Sequence, residues 1–154
     1  MQIKLNTDYA IRILAYLAQK KAVIPSTELA KILGIPQSLV PSVGRKLKAK
    51  GFIDIIIGFN GGFELIKKPD DITVFDVIDA MESIKLNRCL INAKYCSRDA
   101  TSYCAVHQFF RNLQDVVEDE LKAKTLADLL RGDAEMAGFD REKILLNISG
   151  GIIS

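Results

Sequence analysis

Residues 25–66 read PSTELAKILGIPQSLVPSVGRKLKAKGFIDIIIGFNGGFELI, and the order of helix and turn signals in this stretch decides the fold. A helix is predicted after Pro25, with Ser26 as its cap, running through Leu29, Ala30 and Leu33 to Gly34. Gly34 and Ile35 then make a tight turn. Pro36 suits the first position of a next helix, which extends to Lys50 and stops at Gly51. Two short helices joined by a glycine-containing turn have the shape of a helix-turn-helix. Two β-rich runs follow, Ile53–Ile57 and Phe63–Ile66, separated by Gly58-Phe59-Asn60-Gly61-Gly62. Asn-Gly between β-branched or aromatic runs signals a hairpin. Directly after the helix pair, that hairpin stands where a wing would stand. The predicted fold is mainly α with a small β-hairpin wing, a winged helix-turn-helix spanning residues 1–82.

Outward from this stretch, Thr7 or Asn6 is the expected cap of a first helix. Ala10, Ile13, Leu14 and Leu17 form its apolar face, and Lys20 and Lys21 close it. Thr73 is the expected cap of a helix carrying Val74, Val77, Ile78 and Met81. Residues 83–104 contain the cysteines and show little periodicity. Val106, Phe109, Phe110, Leu113, Val116, Val117 and Leu121 then recur at spacings of three and four, the mark of a long amphipathic helix. Thr125 begins a short further helix through Leu130, so that residues 105–131 form one helical region. The tail, 132–154, has no assigned structure.

At 154 residues, with 49% apolar and 26% charged, the chain fits one compact domain, or a small domain with an extension. The net charge of +2 conceals an asymmetry. Residues 1–68 hold 11 basic against 4 acidic side chains, whereas 69–154 hold 10 against 15. A basic half joined to an acidic half suggests a polyanion-binding module attached to something else. Arg12 interrupts the apolar start, so no membrane span is expected. With Asp8 it also argues against a signal peptide, leaving the cytoplasm as the expected compartment.

The second helix of a helix-turn-helix enters the major groove of double-stranded DNA. Here Leu39, Val43 and Leu47 face inward, while Gln37, Ser38, Pro41, Ser42, Arg45 and Lys46 face outward. Glutamine can bond adenine bidentately, serine is versatile, and arginine reads guanine or binds phosphate. Lys46, Lys48 and Lys50, with Ser26 and Thr27, suit phosphate contacts. A run of lysines at a helix C-terminus is also an ordinary solvated end; the turn, the hairpin and the +7 charge tip the balance to DNA. Pro41, counted from Pro36, lies inside this helix and predicts a lost hydrogen bond and a bend. The wing tip carries no Lys or Arg, so Ile57, Phe59 and Asn60 are what it can offer.

Cys89, Cys96 and Cys104 fall in one 16-residue stretch, and His107, the chain's only histidine, follows. An odd, clustered set does not suggest a disulfide framework. Cys104 and His107 are three apart at the start of a helix, so they can face one point. Three thiolates and an imidazole can complete a zinc site or ligate an iron–sulfur cluster; unligated redox thiols are a third option. Structural zinc more often shows two close pairs, and the wide gaps here suit a loop wrapped around a larger object. A Cys104–His107 nucleophile would lack an orienting group and would leave two thiols unexplained. No catalytic residue and no small-molecule substrate are therefore expected.

Thr7-Asp8-Tyr9-Ala10-Ile11-Arg12, Leu47-Lys48-Ala49-Lys50-Gly51-Phe52-Ile53, the wing's Gly58–Phe63, the segment Ile72–Met81 and the three-cysteine loop occur in one order. Together they resemble the Rrf-type winged-helix transcription regulators, with the IscR- and NsrR-like iron–sulfur sensors among them, over roughly residues 1–125. The resemblance implies a homodimer formed through the long helix and bound to a palindromic operator. It also implies an iron–sulfur cluster on Cys89, Cys96 and Cys104, whose state tunes DNA affinity in response to redox, iron–sulfur or nitric oxide status. IscR-like members add a histidine three residues after the last cysteine, which maps onto His107 and implies 2Fe–2S. NsrR-like members add a first-helix aspartate from the other protomer, which maps onto Asp8 of the partner subunit and can accompany 4Fe–4S. His107 is favoured because an adjacent helical turn fixes it within one subunit. The alternative is a zinc-stapled winged-helix DNA-binding protein without cluster sensing. Two departures stand out. The cysteine gaps are longer than in IscR- and NsrR-like members, and Ile57 stands where an arginine is common.

Overall fold

The first helix, α1 (Leu5–Lys20), lies at the centre of a computed structural model that describes residues 3–137. Its buried Ala10, Ile13, Leu14 and Leu17 form the floor of the core, and the next three helices, the hairpin and the last described helix all pack on it. Neither Thr7 nor Asn6 caps the helix. The start lies earlier, after Lys4, and Thr7 is buried inside the first turn, where its hydroxyl donates to Glu82 at 2.5 Å. That partner is 75 residues away, so a tertiary contact overrides the local capping preference.

The next helix, α2 (Ser26–Leu33), begins at Ser26 with Pro25 in the cap position. Gly34 ends it at φ 64, a left-handed conformation that makes the tight turn expected. Residues 36–39 form a separate turn, closed by Leu39 N–H donating to the Pro36 carbonyl at 2.9 Å, and α3 (Val40–Ala49) starts only afterwards. Pro41 therefore sits in the first turn, where amides have no intrahelical acceptor. The expected lost bond and bend do not arise.

Strand β1 (Ile53–Ile56) pairs antiparallel with β2 (Gly62–Leu65), Ile53 opposite Leu65 and Ile56 opposite Gly62. Ile24 adds a third edge by exchanging both backbone bonds with Phe63, at 2.9 and 2.8 Å. The Phe63 ring seats the hairpin directly on α3: a Cβ at Gly44 would lie 2.2 Å from it, so only glycine allows this approach.

Thr73 caps α4 (Val74–Met81) as expected, in a reciprocal box with Asp76. The cysteine segment contains a short helix not anticipated from periodicity, α5 (Arg88–Ile91), followed by a 3₁₀ turn at Ala93–Tyr95. The long helix is α6 (Ala105–Ala123), and it packs on α4 and α5. Thr125 and Asp128 form a second reciprocal cap for the last described helix, α7 (Leu126–Ala137). That helix runs past the expected end at Leu130 and packs back on α1, with Leu126 buried in the core. The rest of the tail, 138–154, lies outside the described residues. Among the described residues no helix is long and apolar enough to cross a membrane.

Candidate nucleic-acid interface and metal centre

Val40, Val43, Gly44 and Leu47 bury one side of α3, which turns the opposite side outward. Gln37, Ser38, Pro41, Arg45, Lys46, Lys48 and Thr27 are exposed, while Ser26 and Ser42 are half-buried. The Ser42 hydroxyl is occupied in donating to the Leu39 carbonyl at 2.9 Å. Three lysines have partners that the sequence did not reveal. Lys46 Nζ donates to the Met81 carbonyl at 3.0 Å, Lys48 pairs with Asp54 at 2.7 Å, and Lys50 with Asp79 at 2.8 Å. Arg45 forms no ion pair among the described residues. Asn60, Phe59 and Ile57 project at the wing tip.

A polar linker connects this face to the cysteine segment. Glu82 accepts from the Thr7 hydroxyl and, at 2.8 Å, from the Lys4 amide. Burial pushes the Glu82 carboxyl upward, but these bonds outweigh it and hold the group below the usual carboxylate range. Gln114 of α6 is buried and grips the linker from the other side. Its Nε2 donates to the Ile84 carbonyl at 2.8 Å, and its Oε1 accepts from the Leu86 amide at 2.9 Å. Glu118 takes bonds from Lys85 at 2.7 Å, Gln114 at 3.0 Å and Lys122 at 3.2 Å. The Lys85 ammonium, aided by Gln114 and Lys122 and opposed by burial, pushes Glu118 down to about 2. Nothing local in the sequence marks Gln114 or Glu118, because their partners lie on a loop about thirty residues earlier.

Each metal-ligand candidate has its own place. Cys89 lies in α5, Cys104 precedes α6, and His107 is in the first turn of α6. All three cysteines are free and half-buried. His107 Nδ1 stands 3.2 Å from Cys89 Sγ, and both border an open cavity of about 410 Å³ that Arg111 also lines. Cys96 Sγ accepts the Ala100 amide at 3.4 Å. That bond, with the Arg98 amide and charge, lowers its thiol from the ordinary value and favours the thiolate. Among the described residues no three such donors converge on one point, so Cys96 and Cys104 stand apart from the Cys89–His107 pair. Asp8 is held by Arg12 at 2.6 Å and joins no such group among the described residues. In donor chemistry the set suits a thiolate-rich metal group; in geometry one pair of donors is assembled.

A helix-turn-helix with a basic outer face and a hairpin seated on its second helix is the framework of a DNA-binding transcriptional regulator. Residues 3–132 match the Rrf2 family, described as iron-dependent transcriptional regulators, and the chain belongs to that family. An HTH-type transcriptional regulator of Aquifex aeolicus (strain VF5) is 34% identical over 124 residues, covering 79% of this chain and 86% of its own. Among solved structures, T. potens IscR superposes with a TM-score of 0.69 at 22% identity, covering 89% of this chain and 90% of that one. The oxidized form of Staphylococcus aureus CymR gives 0.64 at 22% identity, covering 84% and 96%. Those likenesses show the winged-helix fold. The family is one of regulators and not of enzymes.

Proposed function

We propose that the chain acts as a homodimer on a palindromic operator in the cytoplasm and senses redox, iron–sulfur or nitric oxide status through an iron–sulfur cluster, of the 2Fe–2S type. Cys89, Cys96, Cys104 and His107 would hold it, and the observation that carries the reading is the 3.2 Å contact between Cys89 and His107 beside an open cavity. Bound there, a cluster supplies one-electron chemistry and reactivity toward oxidants and nitric oxide. A histidine donor makes ligation sensitive to pH, because the imidazole must be neutral to bind.

The chain's own residues supply the route from this segment to DNA. Cys89 follows a linker fixed at one end by Gln114 and at the other by Glu82 and the Lys46–Met81 bond. Any rearrangement of the 88–104 loop pulls on that linker, and Lys46 belongs to α3 itself. Sensing requires the two loop arrangements to differ in DNA affinity, and this linkage is where the difference would arise. Dimerisation is supported by Val106, Phe109, Leu113 and Val116, which leave an apolar stripe exposed along α6. A two-fold dimer presents two α3 helices and so reads a palindrome.

Anaerobically purified protein, examined by absorption and EPR with iron and sulfide assays, tests the reading. Equimolar iron and sulfide, with a spectrum altered in His107→Ala and unaltered in Asp8→Ala, are expected. The reverse pattern would transfer the fourth-ligand role to Asp8 of the partner subunit and point to 4Fe–4S. Colourless protein containing zinc, without iron or sulfide, would replace the cluster with a zinc staple.

A further inference from the structure

The wing tip is an exposed apolar feature that neither the recognition helix nor the α6 stripe accounts for. Ile57 and Phe59 are 95% and 104% exposed, on either side of Gly58. Isolated exposed apolar residues are ordinary, but two large ones at the end of a short hairpin form a projecting edge. The edge is held in shape. Gly61 N–H closes the turn on the Gly58 carbonyl at 3.0 Å, and a Cβ on Gly61 would lie 2.3 Å from the Ile56 carbonyl, so no larger residue fits the turn. At its base Ile53 and Phe63 are buried, and the Phe63 ring rests on Gly44 of α3. The tip thus keeps a fixed relation to the recognition helix. Between Lys50 and Lys67 the chain has no basic residue, so the wing has no cationic side chain with which to grip phosphate.

We propose that Ile57 and Phe59 form an apolar wedge that enters the minor groove flanking the major groove occupied by α3. The proposal rests on the DNA-binding reading of α3, and the wing continues that interface beyond its end. Apolar side chains inserted between base steps partly unstack them and kink the duplex. The cost is least at flexible TA and CA/TG steps, so the wedge selects such a step by deformability and not by hydrogen bonds. Asn60, adjacent in the turn, is placed to bond minor-groove base edges. DNA is favoured over a protein or lipid occupant because the tip is built rigidly onto the element that faces DNA.

The experiment is selection of duplexes from a random-sequence pool by the full chain, by Phe59→Ala and by Ile57→Ala. Circular dichroism checks folding, which these exposed positions leave intact. The wild-type chain is expected to enrich a central motif and a flanking pyrimidine–purine step. The variants should keep the motif, lose the flank and bind the wild-type-selected duplex roughly tenfold more weakly. A 2-aminopurine placed at the step should brighten with wild type and stay dark with Phe59→Ala. Unchanged flanks and fluorescence in the variants would overturn the wedge. So would a variant that altered oligomeric state while leaving the flank intact, since the tip would then be a protein contact. Enrichment of nothing by the wild-type chain would sink the DNA reading itself, a distinct failure that takes the wedge with it.

Discussion

Among the described residues Arg45 forms no ion pair, unlike Lys48 and Lys50 after it, and so has none to give up when it meets a phosphate. Lys48 and Lys50 sit in exposed pairs with Asp54 and Asp79, and such pairs contribute only about 0–1 kcal/mol. DNA can compete for them, but the paired carboxylate remains nearby and repels it. Arg45→Ala should therefore weaken DNA binding and flatten the slope of log affinity against log salt by about one, as read by titration at several salt concentrations. Asp54→Asn should act oppositely, because it frees Lys48. The Lys48 bond holds the Asp54 carboxyl below its usual range, so its charge is present wherever binding is measured. Tighter binding and a steeper salt slope are expected; an unchanged slope would show that Lys48 never reaches the backbone. The lysines were legible in the sequence as charges, while their partners were not. The Asp54 carboxylate, the Asp79 carboxylate and the Met81 carbonyl lie 6, 29 and 35 positions away, and charge pattern carries no information about which long side chain meets which acceptor.

At the scale of elements, short-range signals were read well where a residue's partner is close in the chain. Thr73 and Thr125 announce their helices because the answering Asp76 and Asp128 are three residues on. Asn60-Gly61 marks the hairpin for the same reason. The start of α3 misled because Pro36 and Pro41 both suit a helix's first turn, and choosing between them needs the preceding turn at residues 36–39. The linker to the cysteine segment was wholly hidden, since Gln114 and Glu118 act on residues 84–86 from another helix. That linker has a pH signature. Glu118 is pushed down to about 2 in the fold, below its ordinary value of 4.5, so its contribution is complete above about 4.5 and is lost as pH falls toward 2. Glu118→Gln should cost about 1–2 kcal/mol at neutral pH, allowing for solvent screening of a partly exposed network. In urea denaturation the gap between wild type and variant should close between pH 4.5 and 2. A gap independent of pH would mean that packing, and not charge, fixes the linker.

For the whole molecule, the division of charge becomes a division of labour. The basic half contains α1 to the hairpin and presents α3, and the acidic half contains the linker, cysteine segment and α6. Periodicity marked one wide apolar stripe on α6, and the fold splits it in two. Phe110, Val117 and Leu121 are half-buried against their own chain, whereas Val106, Phe109, Leu113 and Val116 face outward. A single sequence cannot make that split, because both faces obey one period and differ only in which neighbour covers them. The outward row recurs at spacings of three and four along a 19-residue helix, the pattern that a second copy of the same helix can cover symmetrically. Phe109→Glu places a charge in the middle of that row at a position already 62% exposed, so the isolated fold should keep its helix content. Burying that charge in a helix pair without a partner is costly, and the dimer should dissociate. Sedimentation should then show a monomer. Its affinity for a duplex with two half-sites should fall on the order of a hundredfold as the second contact ceases to be intramolecular, while affinity for a single half-site stays close to that of wild type. A variant that remained dimeric would place the subunit interface elsewhere; one that became monomeric yet kept full operator affinity would remove two-fold recognition from the mechanism.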